Sequence, residues 1–333
     1  MRAITDIQNF DGQRVIVRTD WNVPHDAGTI LDTSRVDVTL KTIRWVTSHN
    51  GAVIVVSHFG RQGESMKGLS EIVSEILPIT FVEDPFSEVG VELIKGLKPG
   101  EIILLENIRK WPEEEANDEE FAKKLASLAD IYVNEAFSNS HRNHASMVGI
   151  PRFLPSYAGL RFLEEVSKLS ESFNPEHPFL FILGGAKLET KLPLIDNFLN
   201  IADQIFVGGA LAKPASLTPL AQNPKIVFPK GDIAALDADS ETLTELREMI
   251  RTAKFVLWNG PLGNYEKGYN QGTKELARML AESGAKVIAG GGDTENVIDT
   301  MHLEGKFYFI SLAGGAMLDF LAKRTLPAIE ALQ

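Results

Sequence analysis

The chain has 333 residues, 44% of them apolar and 23% charged, with a net charge of −12 and no cysteine. That length accommodates two domains of roughly 100–200 residues each, and the balance is that of an ordinary globular protein. The missing cysteines exclude disulfides, thiolate metal sites and a cysteine nucleophile. Split at Tyr157, the two parts carry −7 and −5. Neither half is basic, so nucleic acid is not an expected partner, and any anion site must be local. No apolar run approaches the ~20 residues of a membrane span, and Met1-Arg2-Ala3-Ile4-Thr5-Asp6 lacks the apolar core of a secretory signal. A cytoplasmic protein with no membrane partner is expected.

Strand-length apolar runs follow one another along the chain. The first part has Val15–Val17, Val53–Val56, Ile79–Val82, Ile102–Leu105 and Ile131–Val133. The second has Phe179–Leu183, Ile205–Val207, Lys225–Phe228, Phe255–Trp258, Lys286–Ile288 and Phe307–Ile310. These runs are continuous rather than alternating, which predicts strands buried on both faces, hence parallel sheets covered by helices. Helical patterns separate many of them. Glu119–Ala126 is preceded by the N-cap candidate Asp118, and Glu241–Ile250 is another. Pro155 and Ser156 are read as starting a helix that Asn174-Pro175 ends. The fold class is α/β: a domain over 1–156, a joining helix over 157–172, a second domain over 173–315, and a tail over 316–333. Ligands are expected at the carboxyl ends of the strands.

The two halves decorate those ends differently. The first carries Arg18-Thr19-Asp20-Trp21-Asn22, Ser57-His58-Phe59-Gly60-Arg61, Glu106-Asn107-Ile108-Arg109 and Asn134-Glu135-Ala136-Phe137, with Arg35, His141, Arg142 and His144 in nearby loops. One such arginine is an ordinary surface ion pair. Several in an acidic domain read as a site for a small polyanion, whose carboxylate and phosphate oxygens suit the guanidinium fork. The histidines lack carboxylates at zinc-motif spacing and are read as anion contacts or core hydrogen bonders.

The second half ends its strands in glycine turns: Gly184-Gly185, Gly208-Gly209, Asn259-Gly260, Gly290-Gly291-Gly292 and Gly314-Gly315. These turns let a nucleotide's phosphates lie along the backbone. Gly290-Gly291-Gly292-Asp293-Thr294 is the strongest. Its free amides at a helix start favour an anion, and the Asp293 carboxylate offers a place for a hard cation. Neither the P-loop nor the dinucleotide fingerprint is present, which weighs against a dehydrogenase. If a helix begins near Ala186, Lys187 and Lys191 point to one side of its first turn, a local conflict of the kind functional sites carry.

These motifs, in this order, resemble the phosphoglycerate kinases. The segments that carry the resemblance are Val17–Pro24, Ser57–Arg61, Leu105–Arg109, His141–Ser146, Gly184–Lys187, Trp258–Pro261 and Gly290–Thr294. The resemblance implies two Rossmann-like domains facing a cleft and joined by a helix. It implies 3-phosphoglycerate or 1,3-bisphosphoglycerate on the first and ADP or ATP with Mg2+ on the second, in a monomer. Carried over by position, Asp20, Asn22, His58, Arg61, Arg109 and Arg142 grip the phosphoglycerate, and Arg35 reaches the transferring phosphoryl group. Lys187, Lys191, Gly291 and Gly292 serve the transfer. Gly184, Gly208, Gly209, Asn259, Glu266, Gly290 and Thr294 line the nucleotide, with Asp293 on the metal. The chain is shorter than usual members, with the losses between Arg61 and Glu101 and between Ala210 and Val256. Ser138-Asn139 stand where the family has Gly-Thr, Leu312-Ala313 replace Thr-Gly, and Thr190 replaces an acid. The alternative is a non-catalytic nucleotide-binding or regulatory protein on the same scaffold.

Overall fold

A computed structural model describes residues 1–26, 29–30, 32–60 and 64–333. The chain divides into two compact units, Met1–Val166 with Thr325–Gln333, and Ser167–Arg324.

The first unit is built on six parallel strands: β1 (Arg14–Arg18), β2 (Ala52–Val56), β3 (Thr80–Val82), β4 (Ile102–Leu105), β5 (Ile131–Asn134) and β6 (Ser156–Ala158). Their spatial order is β3-β4-β2-β1-β5-β6. All five residues of β2 are buried, as a strand covered on both faces requires. Val15, Val17, Val53 and Val55 pack against Ile43, Val46, Leu69 and Val73 from the covering helices. The second unit repeats the plan with β7 (Phe179–Leu183), β8 (Gln204–Val207), β9 (Ile226–Val227), β10 (Phe255–Asn259), β11 (Lys286–Gly290) and β12 (Phe309–Ser311), in the order β9-β8-β7-β10-β11-β12. Both are Rossmann-like sheets. Each steps outward on one side of its first strand and then returns to the other, which opens a crevice at the strand ends. The switch lies between β1 and β5 in the first sheet and between β7 and β10 in the second.

Every apolar run of the sequence forms a strand. Asp118 caps its helix by accepting from Phe121 N at 2.8 Å, and Asp239 caps Ser240–Thr252 from Thr242 N at 2.8 Å. Two boundaries differ from expectation. Ser156 does not start a helix; it pairs with Tyr132 as the start of the edge strand β6, and the helix runs over Leu160–Ser170. The edge of β5 offers ladder hydrogen bonds that a helical turn there would leave unmade. The expected tail also begins later. Helix Gly315–Lys323 buries Ala316, Met317, Phe320 and Leu321 within the second unit, and only Thr325–Gln333 joins the first. There Ala328 packs on Ala136 and Met147 and donates its N–H to Ser140 O at 3.1 Å.

The start of the Leu160–Ser170 helix is held by one carboxylate. Glu135, at the end of β5, accepts from Thr42 Oγ1 at 2.7 Å, Arg161 N at 3.0 Å and Phe162 N at 3.3 Å. Thr42 Oγ1 in turn accepts from Leu160 N at 2.8 Å. A Cβ on Gly159 would lie 1.9 Å from Glu135 Oε2, so glycine is what lets the carboxylate reach the helix. Burial raises the Glu135 carboxyl from 4.5 to about 7, more than its donors lower it.

Removing this clasp leaves buried helix amides without an acceptor, so Glu135→Ala is expected to cost about 2 kcal/mol in urea unfolding. A loss below about 0.5 kcal/mol would deny it that role. Because the folded pKa is raised, the stability it contributes is fully present below the unfolded value of 4.5 and is lost as pH rises through about 7. Glu135→Gln should lack that slope.

Candidate active site

In the first unit the candidate residues leave the carboxyl ends of β1, β2, β4 and β5. Asp20 and Asn22 follow β1, His58 follows β2, Arg109 lies in the turn Ile108–Lys110 after β4, and Arg142 lies beyond β5. Arg35 comes from the short helix Ser34–Asp37. Arg61 lies outside the described residues. Asn22 turns its Oδ1 to Gly60 N at 2.8 Å, which fixes the loop beyond His58.

Asp20 is a buried carboxylate. Its Oδ2 accepts from Arg35 Nη1 at 2.5 Å and from Ser138 Oγ, while Oδ1 lies 3.7 Å from His58 Nδ1. Burial pushes its carboxyl up, but the Arg35 guanidinium beside it and the further donors outweigh this and hold it below the usual carboxylate range. Asp20 is therefore ionised at neutral pH.

The rest of the cluster gathers guanidiniums, and Arg109 among them is short of partners. Arg18 is fully enclosed and donates from Nε to Ser146 Oγ at 2.8 Å. Ser146 sits in the π-helical turn Ala145–Gly149. It gives its N–H and hydroxyl to buried Glu114 at 2.8 and 2.5 Å. Arg109 Nε lies 3.2 Å from Glu115 Oε1 without hydrogen-bond geometry, and its buried Nη2 has no hydrogen-bond partner. Burial and the charge of Arg142 both act against the Arg109 proton. Burial brings His58 down to about 3 and His144 to about 4, with Arg18, Arg109 and Arg142 adding to the effect. Both imidazoles are neutral at physiological pH and serve as hydrogen-bonding groups. His58 Nδ1 is itself buried without a hydrogen-bond partner. Such a group of guanidiniums is built for an anion.

In the second unit the elements converge on Asn259 at the end of β10. Lys191, 7% exposed, donates its ammonium to Asn259 Oδ1. Asn259 Nδ2 donates to Gly290 O at 2.9 Å, and Gly260 N donates to Thr294 Oγ1 at 3.0 Å. β11 stops at Gly290. Gly291, at φ +108°, turns the chain, and a helix runs from Gly292 to Thr300. This is the strand–glycine–helix design read from the sequence. Gly292 faces open space. Burial alone brings the Lys191 ammonium down to about 8, because its partner is a neutral amide.

Two expectations change here. The helix begins at Leu188, with Lys187 in an extended conformation outside it. Lys187 is exposed while Lys191 is buried, so the two lysines do not share one side of a first turn. The glycine turns are also not uniformly open. A Cβ on Gly184 would lie 2.2 Å from Pro261 O and one on Gly209 2.8 Å from the same atom. These glycines let neighbouring turns pack main chain to main chain. Gly208 is buried, Gly209 half-buried and Glu266 exposed. Asp293, in the first turn of its helix, has its carboxyl raised by burial and by the negative charge of Glu266. Among the described residues no group of three or more His, Cys, Asp and Glu could hold a metal alone.

The comparisons agree across the chain. The family model described as phosphoglycerate kinase matches residues 4–218 and 217–324. The chain belongs to the phosphoglycerate kinase family. A relative from Coprothermobacter proteolyticus, named phosphoglycerate kinase, is 37% identical over 100% of this chain and 98% of its own length. That alignment spans 388 positions against 333 residues here, so the chain is a shortened member. Solved phosphoglycerate kinases from Coxiella burnetii and Pyrococcus horikoshii superpose with TM-scores of 0.86 and 0.87, at 29% and 28% identity. They cover 99% and 100% of this chain and 98% of each of theirs.

Arg18, one of the strand-end arginines, is given no individual role by the resemblance, yet it is enclosed at the centre of the cluster. Crowded cations destabilise one another without a bound anion. Arg109→Met should therefore stabilise the ligand-free protein by about 1 kcal/mol and abolish most of the rise in melting temperature that inorganic phosphate gives the wild type. A variant that melts lower, with the phosphate effect intact, would show that Arg109 is already balanced.

Proposed function

We propose that the protein catalyses reversible phosphoryl transfer between 1,3-bisphosphoglycerate and MgADP, giving 3-phosphoglycerate and MgATP, the glycolytic reaction of its family. It is a kinase with a carboxyl acceptor. The observation that carries the substrate assignment is the half-buried Arg109, whose enclosed Nη2 lacks a partner beside Arg18, Arg142 and a neutral His58. A phosphate supplies what those groups lack.

Asp20, Asn22, His58, Arg61, Arg109 and Arg142 are read as the phosphoglycerate site. The nucleotide runs along Gly184, Gly208, Gly209, Asn259 and Gly290–Thr294, with Glu266 at its ribose. Mg2+ suits one carboxylate plus substrate phosphates. Asp293 fits that requirement, since its side chain reaches solvent and a cation would relieve the partial burial and the Glu266 charge that raise its carboxyl. When bound, the ion neutralises charge on the nucleotide phosphates.

Both nucleophiles, a carboxylate in one direction and an ADP phosphate oxygen in the other, are ionised at neutral pH. No proton needs to be removed, and the task is alignment with charge stabilisation. Lys191 and Lys187 supply positive charge from the nucleotide side, and the amides of Gly291 and Gly292 supply dipoles. Arg35 leaves Asp20 to meet the transferring phosphoryl group. The two binding elements belong to different units, and transfer requires donor and acceptor oxygens in line. The enzyme is read as cytoplasmic and monomeric.

A coupled assay with ADP, magnesium and 1,3-bisphosphoglycerate tests the reading. Wild-type protein should form ATP. Arg35→Ala should lose about 10³-fold or more in kcat, and near-normal turnover would remove Arg35 from the reaction. Lys191 must be charged to act, and its pKa is lowered to about 8. The rate should therefore fall as pH rises through about 8, and Lys191→Arg should move that limb upward, since a guanidinium stays protonated. A limb that stays in place in Lys191→Arg belongs to another group.

A further inference from the structure

Asp20 has two unequal oxygens. Oδ1 has only long contacts, Asn22 N at 3.4 Å and His58 Nδ1 at 3.7 Å. Oδ2 takes both strong donors, Arg35 Nη1 and Ser138 Oγ. Ser138 lies in the turn Phe137–Asn139, and that turn is fixed. Phe137 is buried edge-on against Phe162 at 5.6 Å, and Asn139 N and Ser140 N bond back to Ala136 O and Phe137 O at 3.0 Å. Asn139, itself buried, donates from Nδ2 to Ser138 Oγ at 3.4 Å. The hydroxyl thus accepts on one side, and its single proton is directed at Asp20. Asn139, Ser138, Asp20 and Arg35 form one polarised chain.

We propose that Ser138 is a positioning residue for phosphoryl transfer, keeping Asp20 hydrogen-bonded and in place when Arg35 leaves it for the phosphoryl group. The inference rests on the reading of Arg35 given above. With Arg35 as the sole strong donor to Oδ2, its departure would strand a buried carboxylate oxygen. Arg35 would then stay on Asp20 for more of each turnover. With Ser138 present, Oδ2 keeps a donor throughout, and Arg35 is released at lower cost.

The penalty falls on a step after substrate binding. Ser138→Ala should therefore lower kcat about ten-fold while the KM for phosphoglycerate changes little. Ser138→Thr, which keeps the hydroxyl, should restore most of kcat, and Ser138→Gly should repeat the Ala result where the alanine disturbs the turn. In the free protein, the Asp20 carboxyl carbon followed by NMR should titrate at higher pH in Ser138→Ala than in the wild type or Ser138→Thr. An active wild type matched by Ser138→Ala in both kcat and Asp20 titration overturns the role of Ser138 alone. A wild type inactive in the coupled assay overturns the reading of the reaction, and the proposal with it. A fall in kcat that Ser138→Thr fails to restore, with the Asp20 titration unmoved, assigns the effect to packing and also overturns it.

Discussion

Positive charge enclosed without equal negative charge is the condition around which the first unit's site is organised. Arg18 and Arg142 lie close enough to depress the protonation of Arg109, and all three that of His58 and His144. Glu114 offsets part of this charge from behind, bonded to Ser146, yet burial keeps its carboxyl raised. Glu115 touches Arg109 without hydrogen-bond geometry. Buried charges left short of partners are costly, and a protein keeps them where a ligand completes the set. The parallel sheet makes the arrangement possible. Its strands are apolar and enclosed along their length, so polar chemistry collects where they end, at the β1/β5 switch.

The second unit meets the opposite problem with neutral groups. The elements around Asn259 provide a buried ammonium, amide dipoles and main chain. Lys191 is paired with a neutral amide oxygen rather than a carboxylate, so its charge is not cancelled before a ligand arrives. The cost is a lowered pKa. Gly184 and Gly209 let the turns close on one another, which brings the ends of β7, β8 and β10 to the same place. Gly292 carries the part that faces outward.

Much of this was legible in the sequence, for physical reasons that differ by element. Continuous apolar runs leave little choice but a strand covered on both faces, so all eleven runs formed strands and the α/β plan followed. The carboxylate at Asp118 announced its helix because capping is local chemistry. The edge strand Ser156–Ala158 was hidden because its stability comes from the neighbour β5 and not from its own pattern. The start of the helix at Leu188 was misjudged for a similar reason. Spacing alone puts the two lysines on one turn, whereas the chain stays extended through Lys187, and Lys191 is turned inward to Asn259, 68 residues away. The double role of the glycines could not be read either. A glycine that admits a ligand and one that admits another backbone are the same letter. The bond from Ser138 to Asp20 spans 118 residues and no local pattern encodes it.

The claim that binds these points together is that the arginine cluster of the first unit is incomplete without the phosphate of phosphoglycerate. A crystal structure of the protein with 3-phosphoglycerate tests this most directly. The account predicts the phosphate within about 3 Å of Arg109 Nη2 and of the Arg142 guanidinium, with His58 Nδ1 gaining a partner. A phosphate bound elsewhere, with Arg109 Nη2 still lacking a hydrogen bond, would contradict it.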